Sequence, residues 1–195
     1  GCKHPSVCRK GPAKLRPHNC VRDVVAKELV RAHLVVDKER AVPELFEFRR
    51  TSAGDVEVRD AILDVVVQGT GVSSLTLLDV TVDSPFAEGL ADGHVRLGAA
   101  CAAGESRKKH RYGGRVLALA FESLDRLSSG AVDGLFPLAS AAAGHLNSEG
   151  VAATAGELLK RWREAAERTL LWYQADVALL ALGRHAASTP PAPST

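Results

Sequence analysis

Two apolar, β-branched runs, Ala61–Val67 and Leu75–Val82, flank a connection rich in Gly, Thr and Ser, and each run carries one carboxylate. That pattern predicts a β-hairpin. Asp64 and Asp79 lie symmetrically about a loop centre near Gly71 and Val72. A hairpin closing there makes them cross-strand neighbours on one face, with Cβ atoms roughly 5 Å apart. Bare carboxylates that close repel, and burial raises the pKa of one of them. A divalent cation between them removes the penalty, since hard oxygen donors suit Mg²⁺. A register slipped by one residue sends one Asp to the opposite face, and an Asp at a frayed strand end simply faces water. The pattern therefore leaves a metal platform and a solvated acid both open.

The remaining pattern builds a frame around this hairpin. After Asn19, a good N-cap, Val21, Val24, Val25, Glu28, Leu29 and Ala32 repeat at helical spacing and predict a helix over about 20–32. His33–Val42 alternates weakly and predicts a first strand closed by Pro43, with a further strand and a turn at 52–55 expected within 44–57. Ser84-Pro85 ends the third strand, and a helix is expected over 86–112, weakened by Gly89, Gly93, Gly98 and Gly104. Val116–Phe121 predicts a short buried strand ended by Glu122, and helices follow over 126–145 and 151–183. The last helix gathers Leu158, Leu159, Trp162, Ala166, Leu170, Val177 and Leu180 on one side. From Ala187 the tail has the composition of a disordered segment. A strand–helix–strand passage through 75–121 implies a parallel crossover beside an antiparallel hairpin. The expected fold class is thus α/β, a mixed β-sheet flanked by helices in the order αβββαβ, with extra C-terminal helices.

Composition changes this picture little. The chain has 195 residues, 46% hydrophobic and 25% charged, which suits one domain with a real core. Aromatics are scarce at 5%, so Val, Leu and Ala must fill that core. A net charge of +2 does not mark a nucleic-acid binder, but its distribution is uneven: the first 31 residues and Arg107–Arg115 are basic, while Asp37–Asp64 leans acidic. No apolar run is long enough to span a membrane. Cys2, Cys8, Cys20 and Cys101 are too unevenly spaced for a disulfide framework, which predicts a reducing, intracellular setting. The opening Gly1 and the absence of Met predict a piece cut from a longer protein.

Three further groups carry candidate chemistry. Residues 1–17, basic and broken by Pro5, Gly11, Pro12 and Pro17, read as loop. Within them His4-x-x-x-Cys8 has the spacing of half a zinc site, to be completed by Cys2 and by His18 or Cys20; unpaired thiols and a surface His is the equal alternative. Glu28, on the apolar stripe of the first helix, either reaches a buried polar site or lies on an exposed flank. Arg107, Lys108, Lys109 and Arg111 end a helix, where they complement its dipole, contact phosphate, or deliver a lysine to the hairpin's carboxylates. Cys101, in an Ala-rich stretch, reads as packing, and no serine or cysteine nucleophile constellation is visible.

Taken in order, these residues resemble a known family. An Asp in one strand, a second Asp in the next and a Lys beyond it resemble the PD-(D/E)XK, or restriction-endonuclease-like, nuclease fold. More narrowly, the chain is similar to the endonuclease domain that follows the reverse transcriptase of non-LTR retrotransposons. His4-x-x-x-Cys8-Arg9 resembles the second half of that family's Cys-Cys-His-Cys motif, and Pro17-His18-Asn19-Cys20-Val21-Arg22-Asp23 its helix start. Leu63-Asp64-Val65-Val66 and Leu78-Asp79-Val80-Thr81-Val82-x-x-Pro85 resemble its paired acidic strands. Lys108-x-x-x-Tyr112 followed by Ala118–Ser123 resembles its lysine-bearing helix and next strand. The likeness covers about residues 4–125. Pro17 stands for the usual Arg, Leu63 for the usual Pro, Thr81 for the signature's lysine, and Ser123 and Asp125 for the usual Thr and Gly.

The resemblance implies a zinc-knuckle-like remnant over 1–18, a nuclease core over 19–146, a helical extension over 147–186 and a tail over 187–195. It implies a Mg²⁺- or Mn²⁺-dependent DNA endonuclease belonging to a larger reverse transcriptase polyprotein, with a nuclear location. Asp64 and Asp79 would hold the metal, Lys108 (or Lys109) would act beside them, and Thr81 and Glu28 would be accessory. Arg107, Lys109 and Arg111 would grip DNA, and His4 and Cys8 would bind Zn²⁺. The rival is a decayed nuclease fold that binds nucleic acid or scaffolds an attached polymerase.

Overall fold

A computed structural model describes residues 15–51, 53–68, 75–86, 90, 96–123 and 126–188. Among these described residues four helices and five strands follow in the order α1 (Leu15–Arg31), β1 (Val35–Arg50), β2 (Val56–Gln68), β3 (Leu75–Asp83), α2 (Ala99–Tyr112), β4 (Leu117–Glu122), β5 (Arg126–Leu127), α3 (Ser129–Ser148) and α4 (Ala155–Ser188). The strands form one sheet in sequence order; β1, β2 and β3 are antiparallel, β3 and β4 parallel, and β4 and β5 antiparallel. The protein is therefore α/β with a five-stranded mixed sheet. The parallel crossover expected from the pattern runs from β3 through α2 to β4.

The two faces are covered unequally. On one, Val65, Val67, Leu78, Val80, Leu119 and Phe121 pack with α1, α3 and α4 in the main core, and Leu158, Trp162, Ala166 and Leu170 of α4 belong to that core. The C-terminal helix is thus part of the same body as the sheet. On the other face, Val66, Leu63, Ala61 and Val42 join Tyr112 and Val116 beside α2. Among the described residues no helix is long and apolar enough to cross a membrane.

Several boundaries differ from the sequence expectation, each for a local reason. Helix α1 begins at Leu15 rather than near residue 20. Pro17 lies in its first turn, where no intrahelical N–H partner is needed. Pro43 does not end β1: the strand continues to Arg50 through a register shift between Val42 and Phe46. An edge strand with a bulge is where a proline is tolerated. The expected turn near 52–55 is present, with Thr51 N–H donating to Asp55 O at 2.8 Å, but β2 starts at Val56, well before the apolar run. Helix α2 starts at Ala99, not 86, because Gly98 at its N-terminus is left-handed at φ 83°. Ser128 caps α3, accepting Ala131 N–H at 3.2 Å, and so displaces its start from 126. Thr154 and Glu157 form a reciprocal capping box that starts α4 four residues late. The expected disordered tail lies, from residue 189, outside the described residues.

One close approach sets the gap between α2 and the sheet. A Cβ at Gly104 would lie 2.3 Å from Asp83 Oδ2 and 2.9 Å from Thr81 Cγ2. Lys108, one turn further, shares that helix face. Gly104→Ala should therefore lower the unfolding free energy by about 1 kcal/mol or more through overpacking. That loss is expected although Ala is favoured over Gly by about 1 kcal/mol in a helix interior. Urea denaturation reads the difference, and an unchanged or raised midpoint would mean that α2 shifts outward without cost.

Candidate active site

The site forms where β2 and β3 part. Their ladder runs from Gln68/Leu75 back to Val65/Leu78, which makes Asp64 and Asp79 the next opposed pair, as the symmetry of the hairpin predicts. At that point backbone pairing between β2 and β3 stops, and the Val80 N–H donates to Asp64 Oδ2 at 2.7 Å. Beyond the fork, among the described residues, β2 pairs only with β1, as a two-stranded arm. The strand also turns over there: Val65 belongs to the main core, but Leu63 and Ala61 belong to the α2 side. Across from Asp64, between the pairs Lys38/Val65 and Arg40/Leu63, Glu39 takes a left-handed φ of 51°. Such a conformation is costly for a non-glycine residue and persists only where surroundings hold it. Here buried Arg22 of α1 holds the Glu39 carboxylate in an ion pair and Asp23 at 3.1 Å.

Because the sheet opens, helices from both layers reach the acids. From α2, Lys108 Nζ donates to Asp79 Oδ2 at 2.6 Å, spanning 29 positions of sequence. From α1, His18 Nε2 lies 3.0 Å from Asp64 Oδ2, and its Nδ1 lies 3.1 Å from Asn19 Oδ1. Both His18 nitrogens thus face oxygens. The Asp64 and Asp79 carboxyls face each other closely enough that each bears on the other's proton affinity. Asp79 is buried, Asp64 and Lys108 nearly so, and His18 about three-quarters covered.

Their protonation follows from this arrangement. Burial, then the hydrogen bond with Asp64, push the Asp79 carboxyl up to about 6 against the opposing Lys108 ammonium. For Asp64 burial acts upward too, but hydrogen bonds from His18, Asp79 and the Val80 N–H together with the His18 charge prevail, and it falls to about 2. For His18 burial acts downward, but the Asp64 hydrogen bond and charge outweigh it and raise the imidazole. Two carboxyls that share a proton in this way titrate as a pair. Two opposed carboxyls that resist joint ionisation mark a place that a hard cation can take, and Asp64 and Asp79 supply the oxygen donors that Mg²⁺ or Mn²⁺ prefers.

The other residues singled out in the sequence are distributed as follows. Thr81 shares the Asp79 face, but its hydroxyl donates to Asp83 Oδ2 at 3.1 Å. Arg107 pairs with Asp83 at 2.6 Å. Lys109 lines a groove of about 330 Å³ with Glu105, Arg115, Leu75 and Thr76, beside the site rather than in it. The Arg111 guanidinium lies 5.3 Å from the Tyr112 ring centre. Glu28 is buried, but its ion pairs are with Arg31 and with Arg161 of α4 at 2.9 Å, which ties it to the α1–α4 contact. His18, offered by the sequence as a zinc ligand, is engaged by Asp64. Cys2, His4 and Cys8 lie outside the described residues. Cys101 is packing as expected: its thiol, pushed up to about 12 by burial and the Glu122 charge, donates to Arg126 O. Glu122, read only as a strand end, is buried and accepts the Ala100 N–H at 3.1 Å, fastening β4 to the start of α2.

His18 as an Asp64 partner is the contact that pattern reading missed. Its signal was present, a His-Asn pair opening a helix, but nothing in linear sequence aims a helix start at a strand 46 residues on.

A pH dependence of stability follows for the metal-free protein. Asp79 holds its proton more tightly folded, near pH 6, than at its ordinary value of 3.8. Its contribution is therefore full below pH 3.8 and is lost as pH rises through about 6. Asp64 acts oppositely, its contribution disappearing as pH falls from 3.8 through about 2. In EDTA, Asp79→Asn should remove much of the fall in unfolding free energy between pH 4 and 7. Parallel urea titrations of parent and variant measure it, and equal slopes would show that Asp79 ionises normally.

No family model and no curated protein matches this chain.

Proposed function

We propose that the protein is a metal-dependent DNA endonuclease that hydrolyses phosphodiester bonds, as the nuclease portion of a larger retroelement protein. One observation carries this reading: Asp64, Asp79 and Lys108, from two strands and a helix, meet at one opening of the sheet, with Lys108 Nζ 2.6 Å from Asp79 Oδ2. A structural ion pair would need one acid. Here two acids, one buried and one nearly so, oppose each other, each with its own basic partner, an arrangement of perturbed groups that favours chemistry over packing.

Held by Asp64 and Asp79, a Mg²⁺ or Mn²⁺ ion would supply neutralising charge at the scissile phosphate and an activated water. The chain's own residues do the rest. Val80 N–H and His18 hold Asp64 Oδ2 and so fix the carboxylate's rotation. Lys108, on the helix face toward the acids, donates to charge developing on a phosphate oxygen seated against Asp79. Exposed Arg107, Lys109 and Arg111, on the same helix, meet the DNA backbone in sequence-blind, salt-sensitive contacts. His18 is a positioning residue, acting through Asp64.

Nicking of supercoiled plasmid by the purified full chain tests this reading, with Mg²⁺ or Mn²⁺ against EDTA. Asp64→Ala and Asp79→Ala should abolish nicking, and Lys108→Ala should reduce it roughly 100- to 1,000-fold. DNA retardation without any metal-dependent nicking would instead support the decayed, binding-only module. For His18, His18→Ala should raise the metal concentration needed for half-maximal nicking roughly 10- to 100-fold. His18→Gln, which keeps a donor at the Nε2 position, should restore most of it. Equal metal dependence in parent and His18→Ala would remove His18 from the site.

A further inference from the structure

A second cluster lies apart from the fork, at the opposite end of α1. His33, in the turn after that helix, presents Nδ1 to Glu149 Oε2 at 2.7 Å. His145, one turn before Glu149 at the end of α3, presents Nε2 to Glu149 Oε1 at 3.4 Å. The two imidazole rings meet edge to face with centroids 6.0 Å apart. One donor atom from each of the three side chains lies within 4.8 Å of the others. These separations bracket the edge of a tetrahedron of zinc ligands, roughly 3.3 Å for metal–ligand bonds near 2.0 Å.

How the chain holds these residues strengthens the case. Positions 145 and 149 are an i,i+4 pair on one helix face, the spacing at which two side chains converge on one ion. Glu149 ends α3, and its N–H is tied to His145 O and Leu146 O, so the carboxylate starts from a fixed backbone. His33 adopts a left-handed φ of 61° just after α1. That position at a helix end ordinarily takes Gly or Asn. A histidine there bears a backbone cost that its surroundings must offset, and it is the conformation that carries its ring toward α3.

We propose that His33, His145 and Glu149 form a Zn²⁺ site, with solvent as the fourth ligand. Two imidazoles and one carboxylate suit zinc and its neighbours in the first transition row, whereas the all-oxygen pair at the fork suits Mg²⁺. The ion joins the α1–β1 turn to the end of α3, two segments that meet here through the His33–Glu149 ion pair and the two imidazole rings, all half open to solvent. It works as a staple across the helical layer. The site depends on none of the nuclease residues.

The test is calorimetric titration of the full chain with ZnCl₂ in excess Mg²⁺, in a Cys2→Ser/Cys8→Ser background that removes the N-terminal thiols. One equivalent should bind and raise the melting temperature. His145→Ala and His33→Ala should each weaken binding at least as much as the roughly 10- to 100-fold that loss of an outer-shell partner costs, and should abolish the thermal shift. Circular dichroism identifies any variant that fails to fold, and His145→Gln then replaces it. Absence of zinc binding in the thiol-free background, or binding undiminished in both histidine variants, overturns the proposal.

Discussion

Pairing between β2 and β3 stops one residue short of two acids, and that interruption is what the rest of the site depends on. A continued ladder would close the sheet there, leaving only the two faces for side chains to approach. The fork instead exposes Asp64 and Asp79 to α1 on one layer and α2 on the other. Its shape is maintained from behind. Glu39 holds a conformation that a non-glycine residue rarely takes, and the ion pair to Arg22 compensates for it. The strain lies in the edge strand, directly across from Asp64 in the neighbouring strand.

The electrostatics follow from that opening. Four ionisable side chains meet in a partly dry space, two acids and two bases, so neither sign dominates. Each acid has its own base, yet the acids also act on each other, which splits their proton affinities in opposite directions. Such an assembly gains little stability from its ion pairs, because desolvation offsets most of the attraction. Ion pairing alone therefore does not account for four ionisable groups in the middle of a well-packed α/β body.

The mixed sheet, the crossover and the opposition of the two acids were legible because they depend on period and symmetry. Alternating Val and Leu runs fix a hairpin, and equal distances from its centre fix which residues face each other. Lys108 was legible as one of a basic cluster. What could not be read were features set by contacts between layers. His18 lies at a helix start that Pro17 made look like loop. Glu28 has an apolar-stripe position that suits a buried acid anywhere along α1, and packing of α4 turned it toward Arg161. The strands were cut short at Pro43 because a proline stops a ladder in general, whereas an edge strand absorbs it in a bulge.

Gly104 gives the lysine contact a particular independence. Lys108 and Asp79 are joined through a helix laid against the sheet, so the distance between them is fixed by a missing methyl group at the layer boundary and not by the count of residues along the chain. Where that amine arrives is therefore set across the layer boundary, by the close approach at Gly104. A site built this way has no compact written signature: its three members can drift apart in the primary structure while remaining neighbours in space.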